Sequence, residues 1–121
     1  MNALGSVEIY SIPKGVLSGD AMLKAANVEL LYAGTVCAGK YVVVVMGDVA
    51  DVNASVRAAE IEAGVSLIDS LVIPNIDRQV LGAIVACGEV GDVNAVGVLE
   101  FFSVCSCITD LSLCFFRLSI V

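Results

Sequence analysis

Residues 3–12, Ala-Leu-Gly-Ser-Val-Glu-Ile-Tyr-Ser-Ile, return in the same residue classes at 95–104, Ala-Val-Gly-Val-Leu-Glu-Phe-Phe-Ser-Val, an offset of 92 (95 minus 3). Repetition outranks any local motif, because a repeated unit with an apolar face exists to be packed against copies of itself. At 121 residues the chain is expected to hold one unit, 1–90, followed by 91–121, read as a linker and the truncated start of a second repeat. Tiling is therefore expected before chemistry.

Composition agrees. The chain is 59% hydrophobic and 16% charged, against about 45–50% apolar for an ordinary globular domain. That surplus apolar surface is most simply covered by other subunits. A net charge of −7 repels a phosphate backbone, so nucleic acid is not an expected partner. No apolar run reaches the roughly 18–20 residues of a membrane span, and Met-Asn-Ala-Leu-Gly-Ser-Val-Glu lacks a basic leader region, so a cytoplasmic protein is expected. The cysteines at 37, 87, 105, 107 and 114 lack a Cys-x-x-Cys pair and read as free thiols. There are 0 histidines, which removes Ser-His-Asp, Cys-His and His-zinc chemistry. The acids sit at helix starts and on solvated faces, where capping accounts for them. No enzyme is expected.

Along the chain, 3–12 reads as a strand. Pro13 then opens a helix of about 14–26 with Leu17, Ala21 and Ala25 on its packed face. Val28–Thr35 and Tyr41–Met46 read as strands, the second apolar on both faces and hence central. Asp51 caps a helix of about 52–63, buried along Val52, Val56, Ala59 and Ala63, and Gly64 closes it in a left-handed conformation. Leu67–Ile73 is a fourth strand, Pro74-Asn75 a turn, Asp77–Ala86 a third helix and 88–92 a linker. The order β-α-β-β-α-β-α predicts an α/β sandwich, a mostly antiparallel four-stranded sheet with helices on one side, followed by a C-terminal extra strand and tail.

Several residues invite a chemical reading. Cys37, in the tight connection Thr35-Val36-Cys37-Ala38-Gly39-Lys40, reads from spacing as a small thiol half buried at a strand end. Gly34-x4-Gly39-Lys40 imitates a phosphate-binding loop, but Tyr41 follows where Ser or Thr is needed, and a strand begins where a helix should. Lys24 reads as a solvated charge favourable to a helix C-terminus. Cys105-Ser106-Cys107 places both thiols on one face of an extended segment, a weak metal signal. The tail at 111–121, nearly uncharged and with adjacent phenylalanines, is expected to pack on a neighbour or on its own domain.

The segment Ser18-Gly-Asp-Ala-Met-Leu-Lys-Ala-Ala-Asn-Val-Glu-Leu30, with Gly39-Lys40-Tyr41, Gly47-Asp-Val-Ala-Asp-Val52 and Ser70-Leu-Val-Ile-Pro74, resembles the bacterial microcompartment (BMC) shell domain. The chain is most similar to tandem-domain shell proteins of propanediol-utilisation type, over residues 3–104. After about Ile108 the pattern departs: at the repeat offset Lys24 would meet Phe116. The resemblance implies a structural shell protein of a polyhedral organelle, a flat cyclic homo-oligomer that adjoins other shell proteins. Six such chains would make the ring that three tandem chains make. It further implies that Thr35, Val36, Cys37, Ala38, Gly39 and Lys40 line a central pore for metabolites or electrons, and that Lys24, Asn27 and Arg78 lie at oligomer edges. Cys37 then becomes one of a ring of thiols able to ligate a 4Fe–4S cluster shared between subunits. Two other readings stay open: an iron–sulfur electron carrier that the assembly merely houses, and a fragment that assembles differently from its parent.

Overall fold

The computed structural model describes residues 3–85, 91–92, 94–95 and 97–118, of which 115–118 by backbone only. Cys87 and most of the predicted 88–92 linker fall outside them, as do the last residue of the predicted third helix and the tail beyond 118. The strands are β1 (Ala3–Ile9), β2 (Glu29–Cys37), β3 (Lys40–Gly47) and β4 (Leu67–Ile73). The helices are α1 (Ile12–Ala25), α2 (Val49–Ala63), α3 (Arg78–Ile84) and α4 (Val104–Leu118). The four strands form one sheet in the order β2-β3-β1-β4, every pair antiparallel.

Central position explains the composition of β1 and β3. Every residue of β1 is buried, and Val42, Val43, Val44 and Val45 are sealed in β3. A strand covered on both faces has no solvent side on which to alternate polar residues. On the inner face, Ala3, Val7, Ile9, Val43 and Val45 pack with Met22 of α1 and Val52, Val56, Ala59 and Ala63 of α2. The α2 stripe is the one its spacing predicts. Gly64 ends that helix at φ 54, its N–H on the carbonyl of Glu60. The helix begins earlier than expected, with Asp48 as N-cap and Asp51 in its first turn.

α1 is rotated from expectation. Its buried residues are Gly15, Ser18 and Met22, while Leu17 and Ala25 are exposed. The reason is close approach: a Cβ on Gly15 would lie 2.5 Å from the Tyr41 side chain. The smallest residues, not the bulkiest, set the face that meets β3.

The α/β architecture is as expected, with one difference. Helices cover both faces of the sheet. The outer core joins Leu4, Val42 and Val44 to Ile76, Val80 of α3 and Ile108 of α4. Two apolar faces on a central strand require two covers.

The C-terminal segment corrects the expected extra strand. Among the described residues no strand follows β4; 97–103 is irregular and α4 starts at Val104. β1 owes its ladder to β3 on one side and β4 on the other. Among the described residues its echo, 97–103, enters no such ladder, and a helix satisfies its own backbone without strand partners. The cap, being local, persists. Ser11 is the N-cap of α1, its Oγ accepting from Lys14 N at 3.3 Å. At the repeat offset stands Ser103, whose Oγ accepts from Ser106 N at 3.4 Å where α4 begins.

Candidate pore loop and edge residues

The loop of interest is the β2–β3 turn. Cys37 pairs with Lys40 across a two-residue connection, and the register shifts between Thr35 and Cys37, a bulge at Val36. Gly39 takes φ 78, the positive value that a type II turn requires at its second central position. Because β3 follows directly, the glycine-lysine pattern opens no helix and offers no row of amides to a phosphate. Cys37 is exposed at the end of β2. The half-buried strand-end thiol read from spacing is thus an accessible one.

Lys40 is placed otherwise than Cys37. Its ammonium lies 3.5 Å from Glu8 Oε1 and donates to the Phe102 carbonyl at 3.3 Å. Glu8 is 1% exposed, on the outer face of β1. Its other oxygen, Oε2, accepts from Val104 N at 2.9 Å. Beside it, Ser103 Oγ donates to Asp69 Oδ2 at 2.7 Å. The first turn of α4 is thus seated on carboxylates from β1 and β4, the sign its unpaired amides favour. Sequence reasoning missed Glu8, Asp69 and Ser103 as a group. The available signal was the Leu4-Ser6-Glu8 alternation: polar residues on a central strand need partners arriving from above the sheet.

The edge candidates are all on the surface. Lys24, in the last turn of α1, holds Asp20 Oδ2 at 2.6 Å, with side-chain exposures of 74% and 56%. Asn27 is exposed just past that helix. Arg78 is exposed as the first residue of α3, which Asp77 caps through Oδ1 to Gln79 N at 2.8 Å. The structure does not bring Lys24 and Arg78 into one cluster; they belong to helices on opposite faces of the sheet.

Cys105 and Cys107 separate because the segment is helical. Cys105 is buried, its Sγ 3.8 Å from Ser6 Oγ, and burial pushes its thiol up to about 11, with Asp69 and Glu8 adding to the rise. Cys107 is half-buried and Cys114 exposed. Among the described residues, no three Cys, Asp or Glu side chains converge as a metal site within one chain.

A sheet of this order, with paired helices on its inner face and a glycine hairpin at one end, is the BMC-domain architecture, and residues 3–76 match the BMC domain model. The chain belongs to the BMC-domain family. It is 46% identical over 106 residues to the bacterial microcompartment shell protein PduT of Citrobacter freundii, across 88% of this chain and 58% of that one. Over a shorter stretch, 46% of the chain and 55% of the relative, it is 43% identical to the carboxysome shell protein CcmK2 of Synechococcus elongatus. A solved structure of a microcompartment protein from Desulfitobacterium hafniense superimposes with a TM-score of 0.83 at 45% identity, covering 93% of this chain and 62% of that one. The chain therefore spans about three fifths of these two longer proteins.

Proposed function

We propose that this chain is a shell tile of a bacterial microcompartment, working inside the cell as part of that organelle's wall. It would form a flat cyclic oligomer with residues 35–40 around a central pore and Lys24, Asn27 and Arg78 at its outer contacts. The observation that carries this reading is the identity to a named shell protein along nearly the whole chain. Exposed Leu17, Leu23, Leu30 and Ile61 supply apolar surface for neighbours to cover. The mechanism is geometric: a tile excludes solutes over its area and passes them at its axis. With one BMC unit in 3–76, six chains per ring is the arrangement we favour. Sedimentation of the purified chain at several concentrations, with electron microscopy of the particles, tests it. A six-chain ring supports the reading, and a monomer at all concentrations overturns it.

Exposure of Cys37 at the hairpin end favours a second role for the same loop. The residues fit a 4Fe–4S cluster only as a shared site, because one chain brings one thiol to the loop and a cluster takes up to four thiolates. Bound there, the cluster would supply one-electron transfer across the shell. Cys37 would hold it, and the Gly39 turn would keep that thiol at the loop's surface. An anaerobic absorption spectrum with iron quantification, wild type beside Cys37→Ser, decides the point. Colour and iron confined to the wild type support the cluster; iron in neither after reconstitution leaves a plain pore.

A further inference from the structure

Cys37 and Cys107 line one cleft. The bulge at Val36 returns Cys37 to register with Lys40. Lys40 shares its face of β3 with Val42 and Val44, both in the outer core under α3 and α4. Cys37 therefore leaves the hairpin on the side where α4 lies. Cys107, at the end of the first turn of α4, lines with it a cleft of about 370 Å³ that Glu8 and Lys40 also border. Cys107 also borders, together with Val36, an apolar cavity of about 330 Å³ beneath the helix. It thus shares one space with each of the last two residues of β2. The third nearby thiol, Cys105, is turned onto Ser6 and buried, so it does not compete.

We propose that Cys37 and Cys107 form a dithiol pair that a low-molecular-weight disulfide oxidises to an intrachain bond. The exposed Cys37 thiolate attacks one sulfur of the small disulfide, forming a mixed disulfide and releasing one thiolate. The Cys107 thiolate then attacks the Cys37 sulfur, the protein disulfide forms, and the second small thiol leaves. Two protein thiols are oxidised, one small disulfide is reduced to two thiols, and the two protons the protein thiols give up are taken by the released small thiolates. The bond ties the end of β2 to the first turn of α4, two elements whose Tyr32 and Ile108 both belong to the outer core. In the ring proposed above it would also withdraw the Cys37 thiol from the pore. That consequence rests on the ring; the bond itself does not.

The test uses the full reduced chain incubated with oxidised glutathione, blocked with N-ethylmaleimide and digested without reduction for peptide mass mapping. The expected product is a peptide pair joined through Cys37 and Cys107, lighter by the two thiol hydrogens, with neither thiol alkylated and both recovered on reduction. Cys107→Ser is expected to retain glutathione on Cys37 instead. Glutathione persisting on Cys37 in the wild type, or Cys37 joined to Cys37 of another chain, overturns the proposal. Sedimentation of the same oxidised sample separates failure of the pair from failure of the ring.

Discussion

Glu8 Oε2 accepts the amide of Val104 at 2.9 Å, across 96 positions of chain. A buried carboxylate on the central strand is thereby the acceptor for the first turn of a helix, and its other oxygen faces Lys40. The outer cover of the sheet is held at this point by charge, with Ile108 and Val104 packing behind it.

Replacing Glu8 should loosen that cover. Glu8→Gln keeps an acceptor but loses the charge for Lys40, and is expected to cost about 1–2 kcal/mol. Glu8→Ala leaves the Val104 amide without its acceptor and the Lys40 ammonium with the Phe102 carbonyl but no carboxylate, at about 2–4 kcal/mol. Urea unfolding gives the totals, and hydrogen exchange should place the earliest loss of protection in α4.

Ser103→Ala removes both the N-cap acceptor and the bond to Asp69. About 1 kcal/mol is expected, read as a lower urea midpoint with an unchanged slope. The matching Ser11→Ala at α1 should cost a similar amount, since that cap bond is of similar length.

Cys105 makes stability fall at high pH. Its thiol rises from 9.0 to about 11 in the folded chain, so between those values the unfolded state has lost a proton that the folded state retains. Stability is full below about pH 9 and declines as pH passes through about 11, by on the order of 1–2 kcal/mol. Urea midpoints under reductant should show this decline in the wild type and a smaller one in Cys105→Ala.

Gly15→Ala would gain helix propensity, roughly 1 kcal/mol on an exposed helix. Here the new Cβ meets the Tyr41 side chain at 2.5 Å, and overpacking should prevail by about 1–3 kcal/mol. A melting temperature that rises instead would refute the close approach of α1 to β3.

Lys24→Ala separates folding from tiling. The exposed pair with Asp20 contributes at most about 0.5 kcal/mol, so the melting temperature should barely move. Extended sheets seen by electron microscopy should be lost if Lys24 is an edge contact, while single rings remain.

Much of the fold was legible because its causes are local or periodic. The α2 stripe, the Gly64 closure, the β4 span and the Gly39 turn each follow from a few adjacent residues. The packed face of α1 is not legible because spacing favours bulk, whereas Gly15 is buried by a close approach to Tyr41 that no string of residues displays. The fate of 95–104 was misread for a deeper reason: its hydrophobic pattern copies β1, but a strand is completed by neighbours. Cys37 is a candidate that its loop alone singles out, whereas the Glu8, Asp69 and Ser103 group depends on a helix arriving across 96 positions.

The paired serines at 11 and 103 separate two kinds of instruction in one ten-residue phrase. The helix start is an order that a segment can carry out alone, so it works in both copies. The strand is an agreement among three segments, and 97–103, irregular here, has entered none. Offering such partners to residues 97–103 would ask that stretch to exchange its present irregular path for a ladder, while leaving the boundary at Ser103 where it stands.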